Sequence, residues 1–349
     1  YRMSLRKLVL LAAAILAVAS CKDDEQEALP PLEGLVAFYT PDFIEPGQTI
    51  TMTPKGVEHP DDKGFGYFWV VSPGDIRDTT KYENGLTHNG KPSDGSYTFR
   101  FPDDLTTYTF TCYAFAKGYS GVSGSRSVTV VKGGINGSLT GTELIPTDDH
   151  ITVDGDDYYY VRIGNLDWFR NNLAINKGGA AYANVDIMSD VLGRFYSYED
   201  ALTACPDGWR LPTEDDWLAL GEELGSEGKK YGRIPDVASK LMVDVSFNGM
   251  KMWEYWPSAG KITNDSRLAI IPSGYTNLEE KAEDGSYPHA VFTGEYKYSA
   301  HWTADIAEDG LAYYRYIYCK LPDMFIGKAD TKTFGAAVRC VRNTENQTL

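Results

Sequence analysis

Residues 201–217 read Ala201-Leu202-Thr203-Ala204-Cys205-Pro206-Asp207-Gly208-Trp209-Arg210-Leu211-Pro212-Thr213-Glu214-Asp215-Asp216-Trp217. Pro206 and Gly208 stop whatever helix precedes them, so a first helix runs from about Ser197 and ends near Cys205. Thr213 then caps a second helix. Glu214, Asp215 and Asp216 fall in its first turn, at the positive end of the helix dipole, with Asp216 at the capping-box position. Trp217, Leu218, Leu220 and Leu224 supply its apolar face. Trp209 and Leu211, in the short connection, are read as core anchors.

Further blocks lie on either side: Asp167-Trp168-Phe169-Arg170-Asn171-Asn172-Leu173, Gly193-Arg194-Phe195-Tyr196-Ser197-Tyr198, His301-Trp302-Thr303-Ala304 and Ala337-Val338-Arg339-Cys340-Val341. In this order the blocks closely resemble the Fibrobacter succinogenes major paralogous domain, a module frequent in bacterial surface lipoproteins. The resemblance covers residues 150–343. The same core, followed by the terminal Val338-Arg339-Cys340-Val341 strand, also resembles the formylglycine-generating-enzyme and C-type-lectin-like fold. That second resemblance implies an α+β C-terminal domain, in which two helices and a twisted antiparallel sheet carry a long irregular excursion at about 240–335. Functional surfaces would sit in that excursion, on loops held by a rigid scaffold.

Upstream, from 34 to 132, the pattern changes to short apolar runs divided by turn residues. Strands are expected at Leu35–Tyr39, Thr49–Thr53, Gly66–Val71, Ser96–Phe101, Tyr108–Lys117 and Arg126–Val131, with breaks at Glu45-Pro46-Gly47, Ser72-Pro73-Gly74-Asp75 and Asp94-Gly95. Tyr108, Phe110, Cys112, Ala114 and Ala116 alternate with polar or larger residues, so one face of that strand is buried. So many short strands suggest an all-β sandwich. Tyr67-Phe68-Trp69 with the following turn, and Gly95-Ser96-Tyr97-Thr98-Phe99, resemble PKD and immunoglobulin-like domains, which mostly act as spacers. Residues 133–149 read as a linker, entered through the flexible cluster Lys132-Gly133-Gly134-Ile135-Asn136-Gly137-Ser138. Beyond it, Asp148-Asp149 and Asp154-Gly155-Asp156-Asp157 are default turn residues. They lack the spaced loop and closing bidentate glutamate of a calcium site, so no metal or other cofactor is expected.

At the other end, Arg2, Arg6 and Lys7 precede an apolar run from Leu8 to Val18 that is too short to span a bilayer as a helix. Val18-Ala19-Ser20-Cys21 follows and resembles a lipobox, which implies that residues 1–20 are a lipoprotein signal peptide and that Cys21 is lipidated. Lys22, Asp23, Asp24 and Glu25 resemble the acidic export signal of Bacteroidota-type lipoproteins sent to the outer face of the outer membrane. Residues 21–33 form an acidic tether. The whole chain carries 33 Lys and Arg against 49 Asp and Glu. Removing the leader deletes Arg2, Arg6 and Lys7 and no acid, which takes the net charge from −16 to −19. Such a chain repels phosphate backbones, so nucleic acid is excluded as a partner.

Apart from Cys21, cysteines stand at 112, 205, 319 and 340, and four cysteines allow three pairings. The lectin-like resemblance implies Cys205 with Cys340; Cys112 and Cys319, in different domains, are read as free buried thiols in preference to a bridge between the domains. No nucleophile motif surrounds any of the five histidines. The expected function is therefore a noncatalytic surface domain that binds a glycan or an outer-membrane protein. A structural accessory of a transporter or appendage is the alternative, and a formylglycine-generating-enzyme-like oxidase using Cys319 and Cys340 a minor one. Among aromatics near turns in the excursion, namely Trp253, Trp256, Tyr275, Tyr287 and Trp302, the ligand-binding candidates are Trp256 and Tyr275.

Overall fold

A computed structural model describes residues 28–74, 76–78, 87–88, 91–92, 94–135, 137–141, 149–254 and 261–344. Cys21, the Lys22–Glu25 signal and Trp256 lie outside these residues.

In the N-terminal part, a five-stranded sheet runs in the order Phe43–Ile44, Val122–Val130, Thr107–Phe115, Gly66–Ser72 and Ile76–Asp78. The expected alternation holds in its central strand: Tyr108, Phe110, Cys112 and Ala114 are all buried. On the opposite face, hydroxyls pair across the strands as Thr107 with Thr129, Thr109 with Ser127 and Thr111 with Ser125, at 2.8–3.0 Å. The inward face packs on Trp69, Phe99 and Phe101, and the Trp69 indole donates to the Gly95 carbonyl at 2.8 Å. Gly95 has a φ of +79°, and a Cβ there would stand 2.5 Å from the Tyr67 ring, so the Asp94-Gly95 turn admits only glycine at that place. The far side is closed by two strand pairs, Glu33–Ala37 with Lys55–Glu58 and Thr49–Met52 with Tyr97–Arg100. The expected two-sheet sandwich is thus corrected to one sheet with strand pairs closed over it. The covering strands are only four or five residues long, and the register shifts between Gly34 and Ala37.

The C-terminal part departs further from expectation. Of the described residues, 39% are in strands and 10% in helices, so the expected α+β, C-type-lectin-like domain is overturned in favour of a mostly β structure built from small sheets. Four short helices are described: α1 Met188–Leu192, α2 Tyr198–Ala204, α3 Glu214–Glu223 and α4 Ala238–Leu241. One sheet has four strands, in the order His150–Val153, Asp156–Ile163, Leu166–Phe169 and Val341–Asn343. Three-stranded sheets are formed by Tyr298–Ile306, Ala312–Tyr318 and Met324–Ala329; by Val291–Thr293, Tyr275–Asn277 and Phe334–Gly335; and by Leu139–Thr140, Ser246–Phe247 and Met250–Lys251. The stretch expected as an irregular excursion therefore contains most of these strands. Its aromatic residues favour extended backbone, and Asp309-Gly310, with Gly310 at φ +80°, turns a hairpin there.

Locally the reading of 197–217 holds. Ser197 caps α2 by accepting from the Asp200 N–H at 3.1 Å, and Cys205 is its C-cap. Thr213 and Asp216 form a reciprocal capping box on α3, with Asp216 N to Thr213 Oγ1 at 3.2 Å and Thr213 N to Asp216 Oδ2 at 2.7 Å. Trp209 and Leu211 are buried, and Trp209 packs on Phe169 at 4.3 Å between ring centroids. Cys205 and Cys340 are joined as a disulfide with Cα atoms 5.8 Å apart, tying the end of α2 to the residue that leads into the last strand.

The two parts share an apolar cluster. Val131 and Leu139 pack with Met188, Val191, Leu192, Phe247 and Met252, and Phe43 from the five-stranded sheet lies against them. Within the stretch read as a linker, the Gly134 N–H donates to Asp190 Oδ2 at 2.7 Å and the Lys132 N–H to Ser138 Oγ at 2.8 Å. Across the same junction, Asn248 Nδ2 donates to the Val130 carbonyl at 2.9 Å.

Candidate functional site

Strand Ala312–Tyr318 reads Ala-Tyr-Tyr-Arg-Tyr-Ile-Tyr, and because side chains alternate across a strand, Ala312, Tyr314, Tyr316 and Tyr318 share one face. Antiparallel pairing sets Tyr298 opposite Tyr318 and Phe325 opposite Tyr316 on that same face. Tyr275 and Phe334, from the neighbouring three-stranded sheet, join them. All seven rings are half-buried and in contact, so together they form one aromatic face, of which Tyr275, Tyr314, Tyr316 and Phe334 also pack on the core that holds Trp302 and Ala336. They stack in pairs: Tyr298 on Tyr318 at 4.6 Å, Tyr316 on Phe325 at 5.5 Å, Tyr314 on Phe334 at 4.7 Å and Tyr275 on Phe334 at 5.6 Å. The Tyr314 ring lies over Gly327, where a Cβ would come within 2.5 Å of it. Burial raises the Tyr298 and Tyr314 hydroxyls above the usual phenol range, so both stay protonated and able to donate.

Of the two sequence-predicted ligand residues, Tyr275 belongs to this face and Trp256 lies outside the described residues. Trp253, Tyr287 and Trp302 are buried, as core packing would have them. Sequence reasoning missed Tyr298, Tyr314, Tyr316, Tyr318, Phe325 and Phe334, although tyrosines at 314, 316 and 318 carry the two-residue period of a single strand face. The acidic run at 154–157 forms a hairpin turn between strands His150–Val153 and Asp156–Ile163, with Asp154 and Gly155 both at positive φ. Cys340 is bonded to Cys205, so the Cys319–Cys340 pair required by an oxidase is not formed. Cys112 and Cys319 are buried thiols, and burial pushes Cys112 up to about 12.

Behind the aromatic face, the family-type residues Asn172, His301 and Arg339 make a buried polar network. Asn172 Oδ1 accepts from Arg339 Nε at 2.7 Å and lies 3.1 Å from His301 Nε2. A carboxamide oxygen only accepts, so His301 carries its proton on Nε2. Arg339 also donates to the carbonyls of Phe169, Leu268 and Ala269. Burial, and then the charge of Arg339, hold the His301 pKa well below the usual imidazole range. The unfolded chain therefore takes up a proton below about pH 6.5 that the native chain resists, and stability falls as pH drops, by at most about 1.4 kcal/mol per pH unit from this group. The expected outcome is that His301→Gln flattens the acid side of a stability–pH curve relative to wild type; parallel curves would remove this role.

The result is a β-rich, disulfide-tied domain with a half-buried aromatic surface and a buried polar centre. The chain belongs to the Fibrobacter succinogenes major domain family, whose model matches residues 161–342. No curated protein matches the chain. Among solved structures, the adhesin InvE of Yersinia pseudotuberculosis is similar at 13% identity over 89% of this chain and 70% of its own, with a TM-score of 0.23. A calcium-binding mutant of Bacteroides uniformis beta-glucuronidase 2 matches at 9% identity over 87% of this chain and 28% of its own, with a TM-score of 0.19. Scores this low carry nothing to the present fold or activity. Among the described residues, no helix is long and apolar enough to cross a membrane.

Proposed function

We propose that the chain is a lipoprotein anchored through Cys21 at the outer face of the outer membrane, and that its C-terminal domain is a noncatalytic binding domain for a glycan or a protein. The aromatic face carries this reading. Seven half-buried rings in contact keep part of their apolar surface open to solvent at one place, and clustered apolar surface of this kind marks interaction sites. The lipobox and the acidic Lys22–Glu25 run support the anchor and its export, and the strong negative charge argues against nucleic acid.

Binding is read by incubating the protein from residue 22 onward on a glycan array and, in parallel, with native outer-membrane extract. Tyr316→Ala removes the ring at the centre of the face, and ligand affinity is expected to fall roughly 2- to 10-fold. A ligand held equally by wild type and Tyr316→Ala would overturn the assignment to this face. For the anchor, Cys21→Ala is expected to move the protein out of the membrane fraction, since the lipid thiol is the anchor the leader provides; unchanged fractionation would sink that claim. The structural-accessory reading would be favoured by co-purification of a transporter that Tyr316→Ala does not disturb.

A further inference from the structure

In the sheet bearing the aromatic face, the two outer edges differ. Strand Tyr298–Ile306 is covered along its free side: Trp302 N donates to the Ala337 carbonyl and Ala337 N to the Ala300 carbonyl, at 3.1 and 3.0 Å. On the other side, Met324 exchanges both backbone bonds with Ile234, at 2.8 and 2.9 Å. Backbone groups alternate in direction along a strand, so those of Ile326 and Lys328 point outward as Met324 does, while Phe325, Gly327 and Ala329 face strand Ala312–Tyr318. No backbone bond covers the outward groups of Ile326 and Lys328 among the described residues. This short open edge runs beside Phe325 and Tyr316, at the border of the aromatic face.

We propose that the ligand of this face is an extended polypeptide that adds as a strand to the Ile326–Lys328 edge and lays every second side chain against Phe325, Tyr316 and Tyr314. This inference rests on the binding reading above and names its partner. Two observations favour polypeptide over sugar. Saccharides stack on open ring faces, whereas each of these seven rings has a stacked ring neighbour, so that ring edges and hydroxyls are the more available part. A row of outward N–H and C=O groups is complementary to extended backbone, and pockets for alternate side chains then give specificity. The net charge, −16 for the whole chain and −19 without the leader, favours a basic segment, apolar at alternate positions.

The test uses a displayed library of random 12-residue peptides selected on the folded protein, with the best peptide remeasured on variants. Lys328→Pro deletes the outward N–H and leaves the inward ladder of Phe325, Gly327 and Ala329 intact. Asp309→Asn loses the Lys328–Asp309 ion pair but keeps that N–H. Each variant is first checked for an unchanged circular dichroism spectrum. Strand addition is supported if Lys328→Pro weakens the peptide at least tenfold and Tyr316→Ala weakens it roughly 2- to 10-fold, while Asp309→Asn leaves it as in wild type. Peptide binding that survives Lys328→Pro overturns it. If instead no peptide is selected but a glycan is found whose binding Tyr316→Ala destroys, strand addition falls while the binding reading stands. Peptide and glycan binding that both ignore Tyr316→Ala would remove the binding reading itself.

Discussion

Replacing both Cys205 and Cys340 by alanine is expected to lower the melting temperature of the C-terminal domain by roughly 10–20 °C. The two residues are 135 apart in sequence, so their bond closes a long loop in the unfolded chain. For a loop of that length the chain-entropy estimate is about 5 kcal/mol. In a domain of this size each kcal/mol corresponds to about 2–4 °C. The loss comes mostly from a freer unfolded state; in the native fold Cys340 is buried in, and Cys205 packs against, the core that holds Trp209, Ala201 and Val338. A melt of the double variant against wild type, with peptide mapping of the oxidised protein, checks this. Two free thiols at 205 and 340, or a melt within about 2–3 °C of wild type, would contradict it.

Arg315→Leu is expected to cost about 3–5 kcal/mol, because it strands the carboxylate of Glu214. Glu214 and Arg315 are both fully buried, 101 residues apart in the chain, and bonded through Arg315 Nε to Glu214 Oε2 at 3.0 Å and a second, shorter contact from Nη2 to Oε1. Arg315 Nη1 also reaches the Gly232 carbonyl at 2.6 Å, and the Tyr231 N–H donates to Glu214 Oε1 at 3.0 Å. Burial already raises the Glu214 pKa against the opposing pull of Arg315. Without the guanidinium it rises further, and the native state then binds a proton more tightly than the unfolded chain. Stability of Arg315→Leu therefore falls as pH rises above about 4.3, the unfolded value, and recovers on acidification. The double variant Glu214→Leu, Arg315→Leu should lose less than Arg315→Leu alone, since removing both charges removes the stranded one. Urea titrations at pH 4 and pH 7 read both effects; a deficit independent of pH, or a double variant weaker than the single, would show that the pair acts mainly through packing.

What is legible in the sequence is local. Thr213 and Asp216 lie three residues apart and announce a capping box whatever surrounds them, and the alternation from Tyr108 to Ala114 names its buried face without reference to any partner strand. Long-range facts are not legible in the same way. Glu214 in a first helical turn reads as an exposed acid answering the dipole; only the fold brings Arg315 beneath it. The α+β expectation fails because a resemblance at two ends of the domain, around Trp209 and Cys340, does not extend across the middle. Between those ends, Tyr314, Tyr316 and Tyr318 and the Asp309-Gly310 turn carry a hairpin in plain two-residue period. Of the aromatic face, Tyr275 stands out in the sequence because Gly274 precedes it. Tyr314, Tyr316 and Tyr318 show their shared side by the two-residue period, but that Tyr298, Phe325, Phe334 and Tyr275 join them does not show, because these come from four other strands.

The shared apolar cluster at the junction bears on where this domain can be cut. The stretch recognisable as the family begins at residue 161, but the buried side chains that complete it begin earlier, with Val131, Leu139 and Tyr158. A chain started at the family boundary would lack strand His150–Val153 and most of strand Asp156–Ile163, and would show Val191, Leu192 and Phe247 to water. Recombining this domain as a cassette, whether between proteins or onto a new carrier, therefore requires the segment from about Val131 onward. The excised piece would otherwise carry an adhesive apolar scar in place of its neighbour.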